Sequence, residues 1–199
     1  MAKPIRELSL LISEFPGIGP RQARRIVQFL LTKTPVYREK FASVLSELGK
    51  GTEQCTSCYR YDDSGNGTTC TICANGERDH HALMVVEKDA DIENIEHSRA
   101  YNGMYFVLGG HIPMTERKNP PYVRTKELEE KIRKNGITEI ILALSTTPEG
   151  DYTAHELMNR FKELFPNVKC TLLGRGLSVG AEIEYADAET LRNALKHRT

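Results

Sequence analysis

Four cysteines in two closely spaced pairs are the residues of this chain best suited to do chemistry. Cys55 and Cys58 form one Cys-x-x-Cys pair, and Cys70 and Cys73 form a second pair after eleven intervening residues. Two such pairs place four thiolates where one tetrahedral ion can bind them, and Zn²⁺ suits four thiolates. Because four ligands fill the zinc shell and leave no position for a substrate or water, the spacing predicts one structural zinc ion per chain.

The residues between the two pairs predict a short hairpin that the metal closes at its base. They contain the run Asp62-Asp63-Ser64-Gly65-Asn66-Gly67, whose residue types favour a tight turn. Such a hairpin has almost no core, so metal binding supplies its folding free energy, on the order of 10 kcal/mol or more for zinc peptides. Two disulfides are the alternative, and the paired spacing disfavours them, as does a sequence in which nothing suggests export.

The overall composition indicates a globular protein without an excess of either charge. Hydrophobic residues make up 39% of the 199 positions, and 27 Lys and Arg balance 27 Asp and Glu. This balance disfavours a surface that is basic throughout but allows a local basic patch. The longest apolar runs, such as residues 140–144, are far shorter than the roughly 20 residues of a membrane span. With four cysteines in metal spacing, the sequence predicts a protein of the reducing cytoplasm with no membrane partner.

Residues 5–50 have the apolar spacing of three helices. The first is interrupted at Pro16-Gly17-Ile18-Gly19-Pro20, and Pro20 then stands in the first turn of the second helix, where proline is well tolerated. The third helix is predicted from about residue 36 to Leu48, where Gly49 and Gly51 would close it.

The turn between the first two helices resembles the helix–hairpin–helix element, which grips a DNA phosphate without reading bases. Gly17 and Gly19 allow backbone N–H groups to approach an anion closely at the start of a helix. Arg21, Arg24 and Arg25 follow, and residues 1–33 hold six basic against two acidic side chains. The pattern predicts that these five residues bind DNA. A tight turn in a helical bundle with a solvated basic face is the alternative.

After the cysteines, strands alternate with helices, which favours a mostly parallel sheet covered on both faces. Apolar patterning predicts strands over residues 82–86, 103–108, 138–144 and 168–173, and helices over residues 89–98, 125–134 and 153–164. Cys170 lies in the last of these strands, where alternation predicts a buried position and an unreactive thiol.

Residues 175–199 close the chain with a glycine-rich loop, a short strand over residues 182–185 and a helix from about Asp187. The glycines of residues 174–180 lack the lysine and hydroxyl pair of a phosphate-binding loop, so a tight connection is favoured over a nucleotide site. We therefore expect an α/β fold in four parts. These are a helical DNA-binding domain (1–53), a four-cysteine finger (54–78), an α/β domain (79–174) and a terminal segment for assembly (175–199).

The order of these parts resembles the RecR family of bacterial recombination mediators. The resemblance covers nearly the whole chain and rests on the four cysteines and on FPGIGPRQARRI at 15–26, VVE at 85–87, YFVLGG at 105–110, EG at 149–150, RGLSVGAEIEYAD at 175–187 and TL at 190–191. In that family the α/β unit is a Toprim domain. The resemblance therefore implies a Toprim-like sheet with flanking helices.

The resemblance also implies a function and a set of partners. It implies a dimer or a ring tetramer that encircles or clamps DNA and that acts with RecO and, as a further candidate, RecF. Together they load recombinase onto gaps coated with single-strand-binding protein. We therefore expect a non-enzymatic recombination mediator in DNA repair, located in the cytoplasm at the nucleoid.

One stretch departs from the family pattern. After the double glycine the family has a loop of the type Ser-Pro-Leu-Asp-Gly-Ile-Gly-Pro, whereas residues 111–121 here read HIPMTERKNPP. This loop is more basic and lacks those glycines. Because loops vary more than the elements they connect and also carry binding residues, both a divergent DNA- or partner-facing loop and a tolerated surface change fit the departure.

Toprim domains also occur in topoisomerases and primases, so a catalytic magnesium site must be weighed. That chemistry needs a glutamate after the first strand and an Asp-x-Asp pair after a later strand to hold Mg²⁺ at the reacting phosphate. Glu87 fills the first position, but Ser145 and Thr147 stand where the resemblance to Asp-Pro-Asp-x-Glu-Gly places the aspartates. Asp89 and Asp91 form such a pair at a predicted helix start, where capping explains them better. The sequence therefore predicts no catalytic residue.

Two acidic residues remain beside the altered motif. Glu149 and Asp151 lie close after Ser145 and Thr147 in the sequence. Without the aspartates to form a magnesium site, we interpret them as an acidic docking surface for a basic partner such as RecO.

Two other functional classes stay open on the sequence alone. A magnesium-dependent nucleic-acid enzyme of topoisomerase or nuclease type would need a rearranged acidic site. A zinc-stabilised protein–protein module without DNA contact is suggested only by the zero net charge. Relaxation or nicking of a supercoiled plasmid would favour the enzyme, and a salt-dependent gel shift with DNA would exclude the module.

Overall fold

The computed structural model of the chain describes residues 2–63, 68–115, 119–174, 176–177, 180 and 182–196. It divides into two compact units, Met1–Thr52 and Glu53–Thr199. The predicted division into four domains stays a prediction. Residues 64–67 of the predicted turn, residues 116–118 of the basic loop and residues 175, 178 and 179 of the glycine-rich loop lie outside the described residues. No helix in the described part is long and apolar enough to cross a membrane.

The smaller unit consists of three helices, as the apolar spacing predicts: α1 (Lys3–Ser13), α2 (Pro20–Thr32) and α3 (Pro35–Gly51). A small core forms where α1 meets α2, around Ile12, Ala23 and Val27. Helix α3 does not end near Leu48 as expected but continues to Gly51 and includes both glycines, since each glycine in a helix costs only about 1 kcal/mol.

The cysteine segment combines one short strand pairing with one turn of helix. Strand β1 (Glu53–Gln54) pairs antiparallel with β2 (Tyr61–Asp62), so these two strands enclose the first cysteine pair. The expected hairpin between the two pairs falls partly on residues 64–67, outside the described residues. Helix α4 (Thr71–Ala74) carries the second pair, with Cys70 at its N-cap.

The rest of the larger unit is an alternating α/β domain, as predicted. Its elements are β3 (Asp79–Val86), α5 (Asp89–Ser98), β4 (Gly103–Val107), α6 (Thr125–Lys134), β5 (Glu139–Ala143), α7 (Pro148–Leu164) and β6 (Lys169–Leu172). The four strands form one sheet in the order β4-β3-β5-β6, and every pairing is parallel. The mostly parallel sheet of the prediction is therefore confirmed.

Alternate residues of the central strand β3 feed two separate hydrophobic clusters. Leu83 and Val85 join the first cluster, in which the side chains of helices α6 and α7 cover the sheet. Met84 and Val86 join the second cluster, which contains Ile92 of α5 and three of the four clustered cysteines. Both faces of the sheet are covered, as predicted. The four-cysteine segment helps to cover the second face of the sheet, which the sequence pattern did not indicate.

Cys170 lies on β6 and is half-buried against the first cluster. The strand position predicted from alternation is therefore confirmed. Burial raises the pKa of the Cys170 thiol to about 11, so the group stays a poorly reactive thiol near neutral pH.

The end of the chain differs from the prediction in one element. The expected strand over residues 182–185 is wrong, since Ile183–Tyr185 form a short 3-10 helix instead. The alternating residue types predict a strand, but the local hydrogen bonds from Tyr185 N to Glu182 O and from Ala186 N to Ile183 O satisfy this backbone. The helix predicted from about Asp187 is present as α8 (Ala188–Lys196), and Asp187 Oδ1 accepts from Thr190 N at 2.9 Å.

Candidate functional site

The four cysteines of the predicted metal site meet in one cluster. Their sulfur atoms all lie within 4.8 Å of one another, and Cys58 Sγ is 3.5 Å from Cys70 Sγ. A tetrahedral ion with bonds of about 2.3 Å to sulfur needs sulfur atoms about 3.8 Å apart, so small adjustments would seat it. All five cysteines are free thiols in this structure, and none is joined in a disulfide. The donor set therefore fits a metal ion.

Hydrogen bonds inside the cluster favour negative charge on sulfur. Cys70 N donates to Cys55 Sγ at 3.3 Å, and Cys73 N donates to Cys70 Sγ at 3.4 Å. The hydrogen bond with Cys58 lowers the pKa of the Cys70 thiol, and the same contact raises the pKa of Cys58. The N–H donors stabilise the thiolate form of these cysteines, which is the form that binds a metal ion.

The first cysteine turn is fixed directly to the sheet. Cys58 O accepts a hydrogen bond of 2.8 Å from Val107 N at the end of β4. The next residue, Tyr59, has a left-handed backbone (φ 64°), and its ring lies edge-on to Phe106 at 5.3 Å. The Arg124 guanidinium carbon stands 4.9 Å from the centre of the same ring. The α/β domain therefore sets the position of two of the four sulfurs.

Lys131 of α6 holds the same turn from the side. Lys131 is only 8% exposed, and its Nζ donates to Ser57 O at 2.9 Å and to Ser57 Oγ at 2.7 Å. Sequence reasoning missed this residue. The available signal was its place three positions after the core residue Leu128, which puts a lysine near the buried side of the helix.

The helix–hairpin–helix residues lie together in the smaller unit. Gly17 has a φ of +76°, a conformation that favours glycine. Gly19 is the N-cap of α2, and no side chain caps that end. The first N–H groups of α2 therefore have no capping side chain, and the residues of this first turn are exposed, so this end of the helix can attract an anion.

The three arginines of the prediction follow on the first two turns of α2. Arg21, Arg24 and Arg25 are all exposed, whereas Ala23 and Val27 turn into the small core. Within the described residues no carboxylate forms an ion pair with any of the three. Their positive charges are thus available to an anionic ligand beside the α2 start, and DNA contact by these residues stays a prediction.

The carboxyl ends of three neighbouring strands bring the altered Toprim motif together. Glu87 follows β3, His111 follows the double glycine after β4, and Ser145 follows β5. His111 Nε2 lies 3.0 Å from Glu87 Oε2 and 3.0 Å from Ser145 Oγ, and Ser145 Oγ is 3.3 Å from Thr147 Oγ1. Sequence reasoning placed the glutamate and the hydroxyls, but it missed the histidine that joins them. The signal that could have placed the histidine there was the order of the strands, since the residues that follow three neighbouring parallel strands lie close together.

The groups in this arrangement differ from those of a catalytic magnesium site and of a catalytic triad. One carboxylate with two hydroxyls is not the set of several carboxylates that holds catalytic Mg²⁺. Both contacts of His111 use the same ring nitrogen, whereas a triad needs one nitrogen for the nucleophile and the other for the acid. Within the described residues, the four cysteines are the only group of three or more His, Cys, Asp or Glu side chains that could hold a metal.

The Asp-x-Asp pair at the start of α5 is engaged elsewhere. Asp91 Oδ2 accepts from Lys88 N at 3.0 Å and so caps the helix, as predicted. Asp89 Oδ2 instead accepts from Tyr61 N at 2.9 Å, which ties α5 to the cysteine segment. Burial raises the pKa of the Asp89 carboxyl. Both aspartates therefore have structural roles.

Glu149 and Asp151 lie in the first turn of α7. This helix begins at Pro148, five residues before the predicted start, because Thr147 caps it by accepting from Gly150 N at 3.2 Å and proline suits the first position. Glu149 is exposed and Asp151 is half-buried. The helix dipole stabilises acidic side chains in this turn, so their charge has a local structural reason. The partner-binding role stays a prediction.

Comparisons with known proteins agree on one family. The family model of the Toprim domain matches residues 81–174, and the model described as RecR, C-terminal, matches residues 176–199. A recombination protein RecR of Amoebophilus asiaticus is 40% identical over 197 residues, covering 99% of this chain and 96% of that protein. Those of Bacteroides thetaiotaomicron and Porphyromonas gingivalis are both 37% identical, and they cover 94% and 98% of this chain and 89% and 94% of their own lengths.

Replacing Gly150 by alanine should destabilise the larger unit. A Cβ at this position would overlap the carbonyl oxygen of Ser145 and would stand 2.6 Å from Ser145 Oγ. Overpacking of this kind costs about 1–3 kcal/mol, which urea denaturation would report as a lower free energy of unfolding. Gly76→Ala is the control, since no atom lies within 4 Å of the added Cβ there. Equal stability of the two variants would contradict the crowding at Gly150.

Proposed function

The chain belongs to the RecR family of recombination proteins, and from this premise we propose that it is a recombination mediator in DNA repair. In this proposal it is a DNA-binding clamp and adaptor that does no chemistry itself. It helps load recombinase onto gaps coated with single-strand-binding protein, in the cytoplasm at the nucleoid. RecO and, as a further candidate, RecF are the proposed partners.

The observation that carries the DNA-binding part is the start of α2. Two glycines precede this helix end, and no side chain caps it. Three exposed arginines follow on the first two turns, and none forms an ion pair with a described carboxylate. Backbone N–H groups and arginines together suit a phosphate. Contacts to phosphate carry no sequence information, so we expect this site to hold DNA of any sequence.

The hydrogen-bonded group at the strand ends supports a role without catalysis. A Toprim enzyme would use the glutamate after the first strand together with two aspartates to hold Mg²⁺. Here Glu87 contacts His111, and the two aspartate positions are Ser145 and Thr147. The enzyme alternative keeps only Glu87 in its favour.

Zinc is the metal that we propose for the four-cysteine centre. Four thiolates in tetrahedral reach suit Zn²⁺, which such ligands bind as a closed, structural site. Bound zinc would hold the two cysteine pairs together, and three of these cysteines belong to the hydrophobic cluster on one face of the sheet. We propose one ion per chain with a purely structural role.

Exposed apolar side chains of the smaller unit support self-association into a dimer or a ring tetramer. Helix α3 has no buried residue, and its large hydrophobic side chains are exposed at Val36, Phe41, Val44, Leu45 and Leu48. Contiguous apolar surface of this kind marks an interaction site. Several DNA-binding turns in one assembly would also raise affinity, because each bound turn increases the effective concentration of the next.

Freshly purified protein should contain one zinc ion per chain by elemental analysis, because the four sulfurs form a complete ligand set. Cys58→Ser should lose the metal and loosen the cysteine segment, since it removes one ligand that is also buried against the sheet. Cys170→Ser is the matched control and should keep its zinc, since Cys170 lies outside the cluster. Wild-type protein without zinc would refute the proposed ion.

DNA binding should depend strongly on salt and little on sequence. Each phosphate neutralised by an arginine adds roughly 0.9 to the log–log salt slope on duplex DNA. The double change Arg21→Ala, Arg25→Ala should therefore flatten the slope and weaken binding to all sequences alike, as measured by fluorescence anisotropy across a salt series. Zinc content and solution mass should not change.

The control for this experiment replaces two exposed lysines of the larger unit, Lys126 and Lys162, by alanine. That variant should keep the wild-type slope. If the arginine variant also keeps wild-type affinity and slope, DNA is held elsewhere. Supercoiled plasmid incubated with the protein and Mg²⁺ should stay intact, and nicking or relaxation that Glu87→Gln abolishes would favour the enzyme alternative.

Glu149→Lys should abolish binding to RecO while leaving DNA binding intact. The reason is that reversing an exposed charge at the start of α7 turns attraction for a basic partner into repulsion. Pull-down of purified RecO would measure it, and Glu163→Lys near the end of the same helix is the control. RecO binding that is unchanged in Glu149→Lys would remove the proposed docking surface.

A further inference from the structure

We propose that Lys131 is the counter-charge of the four-cysteine centre. In this role its ammonium group fixes the first cysteine turn and offsets the negative charge that metal-bound thiolates leave there. Lys131 touches no metal and is a positioning residue, which acts through Ser57. The inference rests on the proposed zinc site and adds a residue that strengthens the binding of zinc there.

In the described part of the chain, the Lys131 ammonium donates its hydrogen bonds to the cysteine turn. Its ammonium donates to both acceptor atoms of Ser57, the carbonyl oxygen at 2.9 Å and Oγ at 2.7 Å. Ser57 lies between Cys55 and Cys58, the two ligands of the first pair. A rotation of this turn would move both sulfurs, so two hydrogen bonds to its middle residue fix their direction.

Lys131 is also a buried cation without a carboxylate partner among the described residues. Its acidic neighbours on α6 are paired with other cations: Glu129 with Arg133 at 3.9 Å and Arg160 at 2.5 Å, and Glu130 with Lys134 at 3.2 Å. Lys131 and Glu127 both line a polar groove of about 190 Å³, but Glu127 does not come within ion-pair distance of Lys131. A buried ammonium is costly unless an opposite charge compensates it.

The cysteine centre can supply that opposite charge. Four thiolates around one divalent ion carry a net charge of about −2. In the protein interior a cation beside such a centre interacts much more strongly than in water. Groups one shell away from a metal orient its ligands and tune its affinity, and losing one commonly costs about 10- to 100-fold in metal affinity. Lys131 and the metal centre therefore compensate each other.

The test measures how fast purified full-length protein releases zinc to a colorimetric chelator in excess. Lys131→Met keeps an unbranched apolar side chain one atom shorter and removes the charge, so zinc release should be about 10-fold faster than in the wild type. Lys131→Arg should restore slow release, because it keeps the charge. Lys134→Met is the matched control on the same helix, since this exposed lysine pairs with Glu130, and it should release zinc at the wild-type rate.

A spectroscopic measurement separates charge from packing. In protein reconstituted with Co²⁺, the thiolate-to-metal charge-transfer band should shift in Lys131→Met and stay in place in Lys131→Arg and Lys134→Met. If Lys131→Met does not fold, Ser57→Ala carries the test, because it removes one acceptor of the ammonium and should speed release severalfold.

Each outcome decides between the two proposals. A wild-type protein that contains no zinc refutes the zinc site itself. A zinc-containing wild type whose Lys131→Met variant, or Ser57→Ala variant in its place, releases zinc at the wild-type rate overturns the role of Lys131 alone. Equal acceleration by Lys131→Met and Lys134→Met, or by Lys131→Met and Lys131→Arg, overturns it as well.

Discussion

The larger unit depends on the association of four cysteine sulfurs above one face of its sheet. Three of these cysteines belong to the same buried cluster as Met84, Val86, Tyr105 and Val107. A segment this short brings little apolar surface of its own, so a metal bound by the four sulfurs would supply much of the free energy that holds it in place. The sheet in turn orients the first cysteine turn through Val107 and Phe106. A bound metal and the sheet would therefore stabilise each other.

The carboxyl ends of the strands in the same sheet show how a fold can keep a site and change its chemistry. Parallel strands deliver whatever follows them to one edge, so the order β4-β3-β5 places Glu87, His111 and Ser145 together regardless of their types. With carboxylates there, the edge would gather a divalent cation. With an imidazole and hydroxyls, the side chains bond to one another instead. The strand topology sets where these side chains lie, and the types of three or four residues set the chemistry of the site.

Much of this structure follows from local patterns in the sequence. Period-2 and helical spacing predicted the four parallel strands and their helices because burial decides both. The start of α7 was missed because the capping role of Thr147 is a single hydrogen bond, and the strand at 182–185 failed because a strand needs a partner edge that residue types do not specify. The four clustered cysteines could be predicted because two Cys-x-x-Cys pairs are the usual sequence pattern of a metal site. Lys131 and His111 were not, since both act through contacts between residues far apart in sequence.

The hydrogen bond from Val107 N to Cys58 O has a consequence for the order in which the chain folds during synthesis. The ribosome releases the cysteines well before β4 and α6, so the first cysteine turn leaves the exit tunnel without the groups that will orient it. Until residue 107 and then residue 131 emerge, a metal would bind the four thiols without the hydrogen bonds from Val107 and Lys131 to the first cysteine turn. These hydrogen bonds can form only after β4 and α6 have been made, so the time that translation takes separates the appearance of the oxidisable thiols from the contacts that orient them.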